Sequence, residues 1–210
     1  MMPSSAVAID QIRRALADHP ARLITGPERG HAAVALLLRP AETGLELLFI
    51  ERAHHPQDPW SGNLAFPGGR IDPGDAGARQ AAERETREEI GLDLARADYL
   101  GQLDDIVGAY LPVRVSSFVY GLAKDAALAA ALNHEVRDLF FVPLAELQNP
   151  GRHVTAAIDW NNGIRQSPAI DLLGSGRPLL WGITYRLTCQ FMERLGMPAI
   201  PPVPEIPKAP

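Results

Sequence analysis

The sequence predicts an α/β fold, a mixed β-sheet sandwiched by helices, and three observations carry that expectation. Eighteen Gly and nineteen Pro are scattered between short apolar segments, the punctuation of a mixed fold with many turns. Ala32 to Leu38 and Leu45 to Ile50 are β-rich runs flanking Glu42-Thr43-Gly44, which reads as a hairpin. Between Asp75 and Gly91, a suitable N-cap and a suitable C-terminal stop, fifteen residues contain no Pro and no Gly except Gly77, which reads as a helix.

The remaining elements follow in chain order. Ala6, Ile9, Ile12 and Leu16 recur near helical spacing, so Ser4 to Ala17 is expected to open the fold as a helix. After the hairpin come a loop rich in His, Pro, Asp and Gly, the turn Phe66-Pro67-Gly68-Gly69 and the turn Asp72-Pro73-Gly74-Asp75. Val113 to Tyr120 and Asp138 to Val142 read as strands, and a last helix is expected from Leu180 to Gly196. No internal repeat or linker divides the chain, so residues 1–196 are expected to form a single domain with an N-terminal helix. Residues 197–210 hold six prolines in fourteen positions, a Pro-rich tail inclined to extended polyproline conformation.

Composition bounds the function. A chain of 210 residues with 46% hydrophobic and 21% charged side chains buries a sizeable core, which excludes disorder and fibre. A formal charge of -5 supplies no general attraction to polynucleotides or anionic membranes. The longest apolar run, Ala32 to Leu38, is far short of the roughly 20 residues a membrane helix needs. With one cysteine, Cys189, and no signal-type apolar stretch at the N-terminus, the chain reads as cytoplasmic.

The chemistry concentrates in the helix before Gly91. At 100° per residue Glu85 and Glu89 share a stripe with Ala78 and Ala82, flanked by Glu88, and that stripe should face inward. Arg79, Gln80, Glu83, Arg84 and Arg87 fall on the opposite, solvent-facing arc, where Glu83 and Arg87 are spaced to pair. Carboxylates at i,i+4 repel, those in the last turns oppose the helix dipole, and burying them unpaired costs several kcal/mol. A cation relieves all three, and an oxygen-only donor set selects Mg²⁺ or Mn²⁺. Gly68 and Gly69 allow the backbone to approach such a site, where a carbonyl of the turn would complete the coordination.

The stretch resembles the Nudix box, usually Gly-x5-Glu-x7-Arg-Glu-U-x-Glu-Glu-x-Gly-U with U a bulky aliphatic. Arg84, Glu85, Glu88, Glu89, Gly91 and Leu92 match its second half without a gap. The first half departs: Gly69 lies fifteen rather than fourteen residues before Arg84, Ala76 holds the position of the first glutamate, and Thr86 replaces the aliphatic. A loop longer by one residue, with Asp75 near the missing glutamate, is similar to the coenzyme A pyrophosphatase branch. So are Phe66-Pro67-Gly68-Gly69, the upstream run Leu47 to Ala53 with Gly62, and Trp181-Gly182-Ile183-Thr184. Asp58 stands where that branch carries a second arginine, and a carboxylate there weakens the case for coenzyme A.

The resemblance spans about Ala32 to Leu195 and implies a Nudix-like α-β-α sandwich around a mixed β-sheet. It implies a Mg²⁺- or Mn²⁺-dependent hydrolase of nucleoside diphosphates linked to another group, coenzyme A or a derivative among them. Glu85, Glu88, Glu89 and Arg84 would be catalytic; Gly69, Glu85, Glu88, Glu89 and Glu135 would hold metal; Arg52 and Arg70 would meet substrate phosphates. Glu135 enters because many Nudix proteins carry an extra glutamate near that place. The rival readings are hydrolysis of ADP-ribose, a dinucleotide or a nucleoside triphosphate, and a Nudix-like sensor that binds a nucleotide without cleaving it. The partner implied is a small-molecule diphosphate, with neither polynucleotide nor membrane, and with room for a homodimer.

Overall fold

The alternation of apolar residues along two long strands decides how the layers stack. In a computed structural model that describes residues 4–25, 30–42, 44–56, 60–108, 113–126, 132–160 and 163–197, helix α1 (Ser4–Ala17) precedes strand β1 (Gly30–Ala41) and strand β2 (Gly44–Arg52). These two strands form the expected antiparallel hairpin, with Leu38 opposite Leu47 and Ala41 opposite Gly44. Two short strands follow, β3 (Leu64–Ala65) and β4 (Gly68–Arg70), then helix α2 (Ala78–Ile90). Next come β5 (Asp98–Gln102), β6 (Ile106–Val107), β7 (Val113–Gly121), β8 (Val136–Pro143) and the one-turn α3 (Leu144–Leu147). The chain continues through β9 (His153–Trp160), β10 (Gly163–Ile170), β11 (Leu180–Trp181) and α4 (Gly182–Arg194).

The main sheet is mixed. Its central pair, β1 and β7, is parallel, with Ala32 beside Val115 and Leu36 beside Val119. All its other pairings are antiparallel: β2 with β1, β3 and β8, β4 with β1, and both β5 and β6 with β7. Because successive strand residues point to opposite faces, Leu36 and Leu38 pack with Ile12 and Leu16 of α1 and Tyr185, Leu187 and Phe191 of α4. Ala33, Ala35 and Leu37 face the other way, onto Ala81, Ala82 and Ile90 of α2. The result is the α-β-α sandwich the sequence predicts. Among the described residues no helix is long and apolar enough to cross a membrane.

Four expectations are corrected. Asp75 does not cap α2: the cap residue is Gly77, with no side-chain cap bond, because the Asp75 carboxylate is taken by Arg84 and by the Asp72 N–H. Gly91 does end the helix, in the left-handed conformation. The pair Glu83–Arg87 is replaced, since Glu83 accepts from Arg79 and from the Tyr120 hydroxyl. Arg84 leaves the solvent arc and folds back over its own helix, 21% exposed. The last helix starts at Gly182 rather than Leu180, because Leu180 and Trp181 pair with Ile170 and Ala169.

The β9–β10 hairpin, fully paired from His153 opposite Ile170 to Trp160 opposite Gly163, has no counterpart among the strands expected from the sequence. Elsewhere a buried carboxylate ties distant segments together. Asp104 accepts from the backbone and guanidinium of Arg22 and from Arg194 at the end of α4. The tail beyond Met197 and Asp58 both lie outside the described residues.

Candidate active site

Two glycines set the distance between strand β4 and helix α2. Gly68 sits at φ +148, and a Cβ there would lie 2.2 Å from the Ala33 carbonyl of β1, so only glycine lets β4 pair with Ala32–Val34. A Cβ on Gly69 would lie 2.5 Å from the Glu85 carboxylate. The missing side chain is the space that carboxylate occupies. Gly69→Ala is therefore expected to fold, since a flexible Glu85 side chain yields, while turnover falls by about a hundredfold, on the scale of a displaced catalytic group. Unchanged turnover with an unchanged melting temperature would show that Glu85 need not stand there.

Glu89 is 1% exposed and accepts the Gly68 N–H at 2.9 Å. Burial pushes its carboxyl up to about 8, with Glu85 and Glu135 adding repulsion and the Gly68 N–H and Arg52 opposing. Glu85 is also raised, first by burial, against the pull of Arg84 and with repulsion from Glu88 and Glu135. Glu88 is half exposed. Two or more carboxylates thus share a poorly solvated space at the C-terminal half of α2.

Arg84 organises this cluster. Its Nη1 donates to Glu85 Oε1 at 2.9 Å and to Glu88 Oε2 at 3.1 Å. Its Nε and Nη2 donate to the two Asp75 oxygens, each at 3.1 Å, and Nη2 also reaches the Arg70 carbonyl. A planar fork that satisfies a carboxylate bidentately while holding two others has few orientations left. Asp75, held below the usual carboxylate range chiefly by Arg84, anchors it. Thr86, in place of the bulky aliphatic, is fully buried and donates its hydroxyl to the Ala82 carbonyl at 2.7 Å, which satisfies it within the helix.

The structure brings the other residues singled out in the sequence to the same region. Glu135 lies in the turn before β8. Asn133 of that turn donates its N–H to the Glu89 carbonyl, Ala53 donates to the Glu135 carbonyl, and the Glu135 N–H is held by the Asn133 side chain. Arg52, at the end of β2, and Arg70, at the end of β4, both line a cleft of about 660 Å³ that also contains Gly68 and Gly69. Among the described residues no group of three or more His, Cys, Asp or Glu side chains is drawn into a closed ligand set, since Arg84 holds Glu85 and Glu88 apart from Glu89. Sequence reasoning missed the anchoring role of Asp75 and the presence of Trp60 and Asn63 in the cleft. The signal for Asp75 was its place near the absent glutamate.

A double-glycine strand, a loop and a helix ending Arg-Glu-x-x-Glu-Glu-x-Gly together define a class of domain. The NUDIX domain model matches residues 29–160, and the chain belongs to the Nudix family. It is similar to an uncharacterized protein, C14C4.10c, of Schizosaccharomyces pombe, 34% identical over 58% of this chain and 39% of that protein. An uncharacterized Nudix hydrolase NudL of Yersinia enterocolitica is 31% identical over 80% of this chain and 82% of its own. The mitochondrial coenzyme A diphosphatase NUDT8 of Homo sapiens is 28% identical over 90% of this chain and 79% of its own. The chain spans only 39% and 59% of the two Schizosaccharomyces pombe relatives it matches. Among solved structures, a MutT/nudix family protein from Enterococcus faecalis aligns over 93% of this chain and 76% of its own, with TM-score 0.51 and 16% identity, which supports the fold.

Proposed function

We propose that this chain is a divalent-metal-dependent hydrolase that cleaves the diphosphate linkage of a nucleoside diphosphate joined to another group, with coenzyme A as substrate. The observation that carries the reading is the buried Glu89 carboxylate beside Glu85, with the Gly69 cradle open for it. Family membership and the name of the human relative support it.

The residues fit a hard cation. All donors are oxygens, they carry excess negative charge, and a Cβ would fill the space beside Gly69. Glu85, Glu88, Glu89 and Glu135, with the Gly69 carbonyl, would hold Mg²⁺ or Mn²⁺. Such an ion, when bound, neutralises charge on phosphoryl oxygens and lowers the pKa of water. The chain does the rest. Arg84 orients Glu85 and Glu88, Arg52 and Arg70 meet the phosphates, and one of the four glutamates takes the proton of the attacking water. Water adds to one phosphorus, the bridging P–O bond breaks, and two phosphate monoesters leave.

Mass analysis of coenzyme A incubated with the protein and Mg²⁺ in ¹⁸O-labelled water tests the reading. One labelled monoester and one unlabelled monoester are the expected products. Tight binding without cleavage would instead make the protein a nucleotide sensor.

A further inference from the structure

The cleft has two chemically distinct ends. Arg52, Gly69 and Arg70 lie at the end that opens on the α2 carboxylates, whereas Ala32, Val34, Val113, Val115 and Ile183 line the other. Those five side chains offer neither a donor nor an acceptor. Trp60 and Trp181 complete the lining, and Trp181 is fixed, because its indole N–H donates to Asn63 Oδ1 at 3.1 Å. Asn63 is fixed in turn: its N–H donates to the Trp60 carbonyl and its carbonyl accepts from the Arg52 N–H. One residue thereby links the apolar wall to the arginine at the charged end. The loop before Trp181 is anchored too, since Arg177 donates to Glu51, a fully buried carboxylate on β2, at 2.8 Å.

We infer that Trp181, locked by Asn63, is a specificity-determining residue that selects a diphosphate whose second substituent is an uncharged, largely apolar chain rather than another sugar or nucleoside. This rests on the proposed diphosphate hydrolysis at the same site. A sugar seated against the five apolar side chains leaves its hydroxyls unpaired, and each unpaired buried hydroxyl costs more than its lost water contact returns. A hydrocarbon chain there loses only its hydration, and a rigid indole wall adds contact without losing rotamer freedom on binding.

Three adenine diphosphates that differ in the second substituent test it: ADP-ribose, coenzyme A and hexanoyl-coenzyme A, assayed with the full chain and Mg²⁺. The expected order of kcat/KM is hexanoyl-coenzyme A, coenzyme A, ADP-ribose, spanning about tenfold or more. Trp181→Ser is expected to raise KM for hexanoyl-coenzyme A about tenfold with kcat within about twofold, and to leave ADP-ribose kinetics unchanged. If that variant does not fold, Ile183→Asn, at the same wall, is expected to narrow the preference in the same direction. A parent enzyme that prefers ADP-ribose, or a loss equal on all three compounds, or a loss confined to kcat, overturns the inference. Should no compound be cleaved, the hydrolase reading fails, and calorimetric titration of the same three compounds decides this inference separately. Selective binding of the thioester that Trp181→Ser abolishes upholds it, and equal binding overturns it.

Discussion

Glu89→Gln is expected to lower turnover by about 10²- to 10⁴-fold, the range for removal of a catalytic carboxylate, and to raise the melting temperature of the metal-free protein at pH 8. The second effect follows from its burial. The folded-state carboxyl lies up at about 8, above its ordinary value, so the folded protein keeps a proton that the unfolded chain releases. The stability this contributes is full below the ordinary carboxylate range and is lost as pH rises through about 8. Metal-free parent protein should therefore weaken between pH 5 and 8, the variant should not, and added Mg²⁺ should stabilise the parent alone. A ligand confined to the folded state contributes about 2.7 kcal/mol at a hundredfold excess over Kd. Glu88→Gln should share the loss of turnover without the gain in stability, because Glu88 is half exposed. Thermal melts at three pH values with and without Mg²⁺ check all of this, and a Glu89→Gln melt that falls with pH as steeply as the parent's would contradict it.

Arg84→Met is expected to destabilise the fold by about 3 kcal/mol and to reduce kcat together with kcat/KM. Asp75, 5% exposed, loses its bidentate partner, and removal of one member of a largely buried pair leaves an uncompensated charge. Glu85 and Glu88 lose the donor that separates them. Arg84→Lys keeps the charge but cannot donate to both Asp75 oxygens and Glu85 at once, so it should recover most of the stability and little of the turnover. Urea melts and steady-state kinetics on both variants check this, and full activity in the lysine variant would reduce Arg84 to a simple counter-charge.

The fold was legible where local pattern and tertiary role coincide. The β1–β2 hairpin and α1 emerge with their expected pairing and span because their apolar spacing is also their burial pattern. The start of α2 was not legible: Asp75 has the chemistry of a cap, but a carboxylate nine residues before an arginine in a crowded site gains more from the ion pair. The β9–β10 hairpin was missed although Asn161-Asn162-Gly163 is a turn signal, because Ala156, Ala157 and Ser167 carry little strand propensity and long-range pairing makes up the difference. In the site, the glutamate spacing exposed Glu85 and Glu89 as an inward pair. The fold of Arg84 back over its helix depended on a loop conformation that no periodicity encodes.

The Asp104 carboxylate has a kinetic consequence. It gathers Arg22 and Arg194, which lie 82 and 90 residues away along the chain in opposite directions. Contacts across such separations form only after the loops between them have closed, at an entropic cost that local hairpins escape. The latch thus belongs to the native side of the folding barrier, so the interactions it makes lengthen the lifetime of the folded state while leaving the rate of reaching it almost untouched.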